Sequence, residues 1–334
     1  MKIAILIDIE AAVPEDPQLE EGPDEVLTSV EFHVAETLRV LGHEVRIVPL
    51  TNQITQTADL LTQISPDLVF NLTEHYKGDR GMDKNIASLL DLLEFPYTGA
   101  GPTGLMLCRD KGLCKRVLSH HRIRVPGFIM LPVGKTRVPK RLQYPLIIKP
   151  GFEDGSDGIS LASLVHNERD LAERVSRLHE RMKQPAICEE FVEGREIYIG
   201  ITGNKRLRAY SAREVRFSDS ELGPSFATAR VKLDESYRKK WGIQFTDAEL
   251  SSELAKRAAH IGKRVYRLLH LRDYGRIDMR ITRDYKIVFL EANPNPDLTM
   301  GDELAEAAQK DGVSYEQLVA HIVNLALRRH RTGG

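Results

Sequence analysis

Cysteine is scarce in this chain: three residues in 334, Cys108, Cys114 and Cys188, an odd number with no CxxC pair. That argues against a disulfide framework and against the usual spacing of a zinc site, and it suits a reducing compartment. Long apolar runs are missing too. No stretch approaches the roughly 20 residues a membrane helix needs, and the opening MKIAILID reads as a β-strand rather than a signal peptide. A cytoplasmic protein without membrane contact is therefore expected. Net charge is also nearly absent, at −1, so no global field draws nucleic acid. With 42% hydrophobic residues, the chain can bury a large core, and its length predicts two or three domains.

Charge of one sign is missing locally. Residues 3–38 contain no lysine or arginine, although acids recur there. Between Asp110 and Glu153 the reverse holds: no acid, but Lys111, Lys115, Arg116, Arg122, Arg124, Lys135, Arg137, Lys140, Arg141 and Lys149. A solvated basic face is one explanation. So long a stretch without a balancing acid also suits a polyanion such as a nucleotide triphosphate.

KIAILID, a helix ending near Gly42, EVRIVPL and DLVFNL form a β-α-β pattern, which predicts a parallel sheet with helices on its faces. One helix is expected over MLCRDKGLCKRVLSHH, strands over GFIML, YPLIIKP, AICEEFV and REIYIGITG, and a C-terminal helix over YEQLVAHIVNLALRRH. GAGPTG matches GxGxxG through Gly99, Gly101 and Gly104. It is not the first strand-helix turn, it contains Pro102, and no acid follows at the expected distance, so a structural turn is expected instead.

GRIDMRIT alternates, with Arg276, Asp278 and Arg280 on one face and Ile277, Met279 and Ile281 on the other. After the polar TRDYK, the stretch FLEANPNPDL returns. A hairpin centred on Asp284 and Tyr285 pairs Asp278 with Glu291 and Arg276 with Asn293. Two carboxylates about 5 Å apart repel by roughly 3 kcal/mol at an effective dielectric near 20. A hard divalent cation reverses that sign and accepts an amide oxygen as well. Half of a magnesium site is the expectation, with Glu291→Gln leaving the metal-free fold intact or slightly more stable. Magnesium with few protein ligands usually bridges phosphates. Lys149 at a strand end, Lys111 after CRD, and the loop GFEDGSDGIS with Gly151, Gly155 and Gly158 are the candidate phosphate grips.

These residues resemble the ATP-grasp superfamily, in its D-alanine–D-alanine ligase-like branch. The likeness runs through FNLTEH, FPYTGAG, RDKGLCK, PLIIKP, EEFVEGREI, GRIDMR, FLEANPNPDLT and VSYEQLV. It implies a three-domain α/β (α+β) fold: a Rossmann-like parallel sheet over 1–103, then ATP-grasp subdomains over 104–190 and 191–334. It implies ATP gripped by Lys111 and Lys149, an adenine hinge of Glu189, Glu190, Phe191 and Val192, and the ribose on Glu196. Magnesium, replaceable by manganese, would sit on Asp278, Glu291 and Asn293. Arg276 and Ser156 are the implied catalytic residues, and a homodimer is common among such proteins. The implied reaction phosphorylates a small-molecule carboxylate, and an amine then displaces the phosphate to give an amide and ADP.

The departures concern the acceptor. The first loop is long and acidic, with Glu10 in it. Asp297 stands where relatives have glycine, and Asp302 stands where a serine receives the substrate carboxylate. Asp297, Asp302, Glu10 and Lys232 are thus the substrate-binding candidates, and a cationic acceptor is expected in place of a second D-alanine. The alternatives are a kinase without ligation, a binding module without turnover, and a genuine D-alanine–D-alanine ligase.

Overall fold

The first strand is apolar on both faces, and that decides its place. β1 (Lys2–Asp8) buries Ile3, Ala4, Ile5, Leu6 and Ile7 almost completely, as a central parallel strand must. The computed structural model, which describes residues 1–8, 29–138, 142–153, 157–218 and 226–332, puts it there. Helix α1 (Val30–Val40) starts at Ser29, whose side chain accepts from the Phe32 N–H. It leads to β2 (Glu44–Leu50), α2 (Ile54–Ile64), β3 (Leu68–Asn71) and α3 (Asp83–Leu92), giving a parallel sheet of order β2-β1-β3.

The segment expected as a single helix is two: α4 (Pro102–Arg109) and α5 (Lys111–His120). Asp110 breaks it, with ψ near 90°, and its side chain accepts from the Leu113 N–H. A short acid at the start of a helix satisfies an orphan amide donor, so a new helix begins there. A second, antiparallel sheet follows, of order β4-β7-β5-β6. It comprises β4 (Phe128–Leu131), β5 (Leu146–Pro150), β6 (Leu164–Val165) and β7 (Ala186–Glu190), with α6 (Glu168–Met182) between the last two. Leu171, Val175 and Leu178 of α6 pack on Leu146, Ile148 and Cys188.

The third sheet begins with β8 (Arg195–Thr202), β9 (Arg208–Ala209) and β10 (Arg213–Arg216). Helices α7 (Ala229–Leu233) and α8 (Glu235–Trp241) precede β11 (Gln244–Asp247), α9 (Ser252–Leu268), β12 (Tyr274–Ile281) and β13 (Ile287–Asn293). Its order is β11-β10-β8-β12-β13, with β9 also on β8. Ile277, Met279 and Ile281 meet Leu254, Ala258 and Val265 of α9, so the expected apolar face of β12 is the core face. The chain ends in α10 (Glu303–Lys310) and α11 (Tyr315–Arg331), the latter opened by a reciprocal Ser314–Gln317 cap.

That last helix does not stay with its own sheet. Leu318, Ile322 and Val323 pack with Ile3, Ile5 and Ile7 of β1, while Ala4 and Leu6 on the other face meet Leu61, Ile86 and Leu90. GAGPTG sits where this packing closes. Gly99 takes φ +90 against the Asn295 amide, and a Cβ on Gly104 would lie 2.8 Å from the His270 carbonyl oxygen. Protein groups fill the space beside these glycines, in keeping with a structural turn. The three cysteines are buried and free. Among the described residues no helix is long and apolar enough to cross a membrane.

Asp273, fully buried, ties the terminal helix in place. Arg329 of α11 donates to both its oxygens (3.3 and 2.8 Å) and to the Tyr97 carbonyl (2.6 Å), and the Gly99 N–H and Asn204 amide also donate to Asp273. Removing one partner of a buried pair typically loses about 3–5 kcal/mol. Arg329→Met should therefore lower the unfolding free energy by that order, read as a lower urea midpoint, and adding Asp273→Asn should recover part of the loss. An unchanged midpoint for Arg329→Met would show that the pair does not hold the helix.

Candidate active site between the second and third sheets

β12 and β13 pair Asp278 with Glu291 and Arg276 with Asn293, as expected, but by a different route. The turn centres on Asp284: Ile281 pairs with Ile287 and Met279 with Phe289, and Tyr285 takes φ +58. Carried onward, that register would put Glu291 on the core face with Phe289, because side chains repeat every two residues. A β-bulge lies between the Asp278 and Met279 rungs, with Leu290 as the extra residue. It reverses the parity. Phe289 stays in the core at 1% exposure, while Glu291 and Asn293 turn to the face of Arg276 and Asp278. The uniform register read from the sequence is corrected to a shifted one that the bulge restores.

Around this face each acid has its own cation. Lys111, the first residue of α5, donates to Glu291 Oε1 at 2.5 Å and also to the Glu153 carbonyl. Arg276 donates to both oxygens of Asp278 (2.9 and 3.2 Å), and Lys232 stands 3.9 Å away. Lys149, at the end of β5, donates to Glu189 Oε2 at 3.0 Å. Lys115, one turn after Lys111, lies 3.0 Å from the other Glu189 oxygen. Burial pushes the Glu291 carboxyl up, but Lys111, then Lys232 and Lys149, outweigh it and hold it well below the ordinary carboxylate range. Glu189 is likewise held down by Lys115 and Lys149 against its burial.

Two cavities meet at this ladder. One is a slot of about 540 Å³, with adjoining open solvent included, lined by Ile147, Lys149, Val192 and Phe226 among others. The other is a cleft of about 2470 Å³, measured the same way, that includes Arg80, Arg213, Asp297 and Asp302. The Asp278–Glu291 rung lines the slot, whereas Arg276 and Asn293 line the cleft. Lys232 reaches both.

Residues 131–324 match the family described as D-ala D-ala ligase C-terminus. The chain belongs to that family. The chain is 28% identical over 306 residues to the uncharacterized protein y4sG of Sinorhizobium fredii, covering 90% of this chain and 88% of the relative. It is 28% identical over 294 residues to a D-alanine–D-alanine ligase of Aquifex aeolicus, covering 87% and 92%. The crystal structure of a D-alanine–D-alanine ligase from Bacillus anthracis complexed with ATP shares its fold, with TM-score 0.77, 20% identity and complete coverage of both chains. So does the VanG D-Ala:D-Ser ligase of Enterococcus faecalis, with TM-score 0.71, 20% identity and 97% and 99% coverage. The fold is thus ATP-grasp, and the chain is an ADP-forming carbon–nitrogen ligase of the D-alanine–D-alanine ligase type.

In this ATP-grasp ligase most of the residues read from the sequence converge on the slot and the cleft. Glu189, Glu190, Phe191 and Val192, expected as the hinge, line the slot. The Glu190 N–H donates to the Gly127 carbonyl and the Phe191 N–H to the Pro145 carbonyl, while the Glu189 carboxylate is engaged by the two lysines. Glu196 also lines the slot, accepting from Arg280 at 2.9 Å and from the Tyr198 hydroxyl at 3.1 Å. Asp297 and Asp302 line the cleft. Ser156 and Glu10 lie outside the described residues, as do Gly155 and Lys140. Sequence reading missed Arg280, which also donates to the Val192 carbonyl, and the position of Phe226 beside Phe191. Arg280 had a signal, since it shares the polar face of β12; Phe226 had none.

The donor set suits a hard divalent cation. Among the described residues there is no cluster of three His, Cys, Asp or Glu side chains fit for a metal, so a third side-chain donor beside Asp278 and Glu291 would be an amide. Asn293 qualifies: its Nδ2 is buried without a hydrogen-bond partner, and rotation of the amide exchanges nitrogen for oxygen.

The ion pair reverses the expectation for Glu291→Gln. The change takes the carboxylate from Lys111, so the metal-free protein should be less stable at pH 7, not more. Because the folded pKa lies below the unfolded value of about 4.3, this contribution is present above that pH and fades as pH falls through the folded value. Urea unfolding at pH 7, 4 and 3 should show the gap between wild type and variant closing on acidification. A gap that is absent at pH 7, or independent of pH, would refute the pairing.

Proposed function

We propose that the chain joins two amino acids by an amide bond, with D-alanine as both acid and amine, ATP as the phosphoryl donor and an acyl phosphate as the intermediate. One observation carries this reading: a single ladder presents one polar rung to a narrow slot and the next to a wide cleft. A nucleotide in the slot and a carboxylate in the cleft would meet at Asp278, Glu291, Asn293 and Arg276. Lys111 and Lys149 would hold phosphate oxygens, and Arg276 would stabilise charge on the carbonyl oxygen under attack. Magnesium on Asp278, Glu291 and Asn293 would offset charge on the transferring phosphoryl group. Residues 1–103, 104–190 and 191–334 would be the three units, with α11 packed back on the first.

Relatives named D-alanine–D-alanine ligases favour D-alanine over the cationic acceptor expected from the acidic lining. The chemistry of Asp302 points the same way. Burial first, then the hydrogen bond and charge of Glu303, push its carboxyl up to about 8. Its burial and the hydrogen bond it shares with Glu303 thus hold it toward the protonated form at neutral pH, which reduces the negative charge it presents to the cleft. An aspartate there need not repel a substrate carboxylate.

The test is ADP release with D-alanine, lysine, arginine or a diamine, with products weighed by mass spectrometry. D-alanine should support turnover and give the dipeptide; ADP release from an acid without any amine would indicate a kinase instead. The KM for acceptor D-alanine should rise above about pH 8, where Asp302 ionises, and Asp302→Ser should remove that rise. Turnover confined to cationic acceptors would overturn the D-alanine reading.

A further inference from the structure

Lys115 lines neither cavity, yet it touches Glu189 and Leu290, which line the slot. Its side chain is 2% exposed. The ammonium donates to the Leu290 carbonyl at 2.6 Å, lies 5.3 Å from the centre of the Phe289 ring, and sits 3.0 Å from Glu189 Oε1. The last contact is an ion pair without hydrogen-bond alignment. Glu189 holds Lys149 with its other oxygen. Leu290 is the extra residue of the bulge, whose backbone leaves the regular ladder and needs another partner.

A buried ammonium is expensive unless paired, and a methionine would fill similar space without that penalty. It would also leave the bulge carbonyl without this donor and Glu189 with a single cation. We propose that Lys115 is a positioning residue. It fixes the bulge that turns Glu291 out of the core, and through Glu189 it keeps Lys149 aimed into the slot. Lys115 thereby sets the metal requirement by one branch and the nucleotide affinity by the other. This rests on the proposed roles of Glu291 and Lys149.

The two branches separate experimentally. ATP binding to the full chain is measured by calorimetry, first in EDTA and then as a function of magnesium concentration, for wild type, Lys115→Met and Lys115→Gln. Lys115→Met should weaken ATP binding in EDTA at least tenfold and raise the magnesium concentration for half-maximal enhancement at least tenfold. Lys115→Gln keeps an N–H for the Leu290 carbonyl but drops the charge beside Glu189. It should weaken ATP binding similarly while leaving the magnesium midpoint within about twofold. Should Lys115→Met fail to fold, Lys115→Gln decides alone: an unchanged affinity overturns the proposal. Folded variants with wild-type affinity and magnesium midpoint overturn it as well. A wild-type chain that binds no ATP would instead sink the proposed function.

Discussion

Every buried carboxylate along the seam between the second and third sheets must have a cation of its own, and much of the site's layout follows from that requirement. An isolated charge in such a place would lose several kcal/mol of hydration. Glu291 takes Lys111, Asp278 takes Arg276, and Glu189 takes Lys149 and Lys115. Those cations come from the first turns of α5 (Lys111 and Lys115), from the end of β5 (Lys149) and from β12 itself, where Arg276 stands two residues from Asp278. The long basic stretch is therefore divided: Lys111, Lys115 and Lys149 serve the seam, while Arg116, Arg122, Arg124, Lys135 and Arg137 are exposed. Two of its lysines, Lys111 and Lys115, are among the most buried polar groups in the protein, matched to acids that lie far away in sequence.

A backbone irregularity makes this pairing compatible with a core. β13 has to bury Phe289 beneath the third sheet and expose Glu291 on its other face, two residues later. A regular strand cannot do both, because its side chains repeat every two residues. The bulge at Leu290 is the solution, and it stands where the apolar half of the hairpin gives way to the polar half. Core packing and site geometry are thus decided at one residue.

Asp302 shows how far burial can change what a residue type means. As a sequence letter it is an anion, and it argues against a carboxylate ligand. Buried beside Glu303 in the cleft, its carboxyl is pushed up to about 8, and the argument loses its force. Asp110 is a second instance: within an apparently continuous helical pattern it reads as a surface acid, but it caps a new helix and so brings Lys111 to the seam.

Local pattern determined a great deal. The apolar β1, the alternation of Arg276, Asp278 and Arg280, the strand ending in Lys149 and the pairing of Asp278 with Glu291 were all readable, because each depends on neighbours a few residues apart or on one short turn. The bulge, the lysine partners of Glu189, the seating of α11 on the first sheet and the upward shift of the Asp302 carboxyl were not. Each depends on groups brought together from distant parts of the chain, and burial and charge act through space. The sequence by itself determined which residues were candidates for the chemistry; tertiary packing decided which face they take, which ions they meet and how burial shifts their charge.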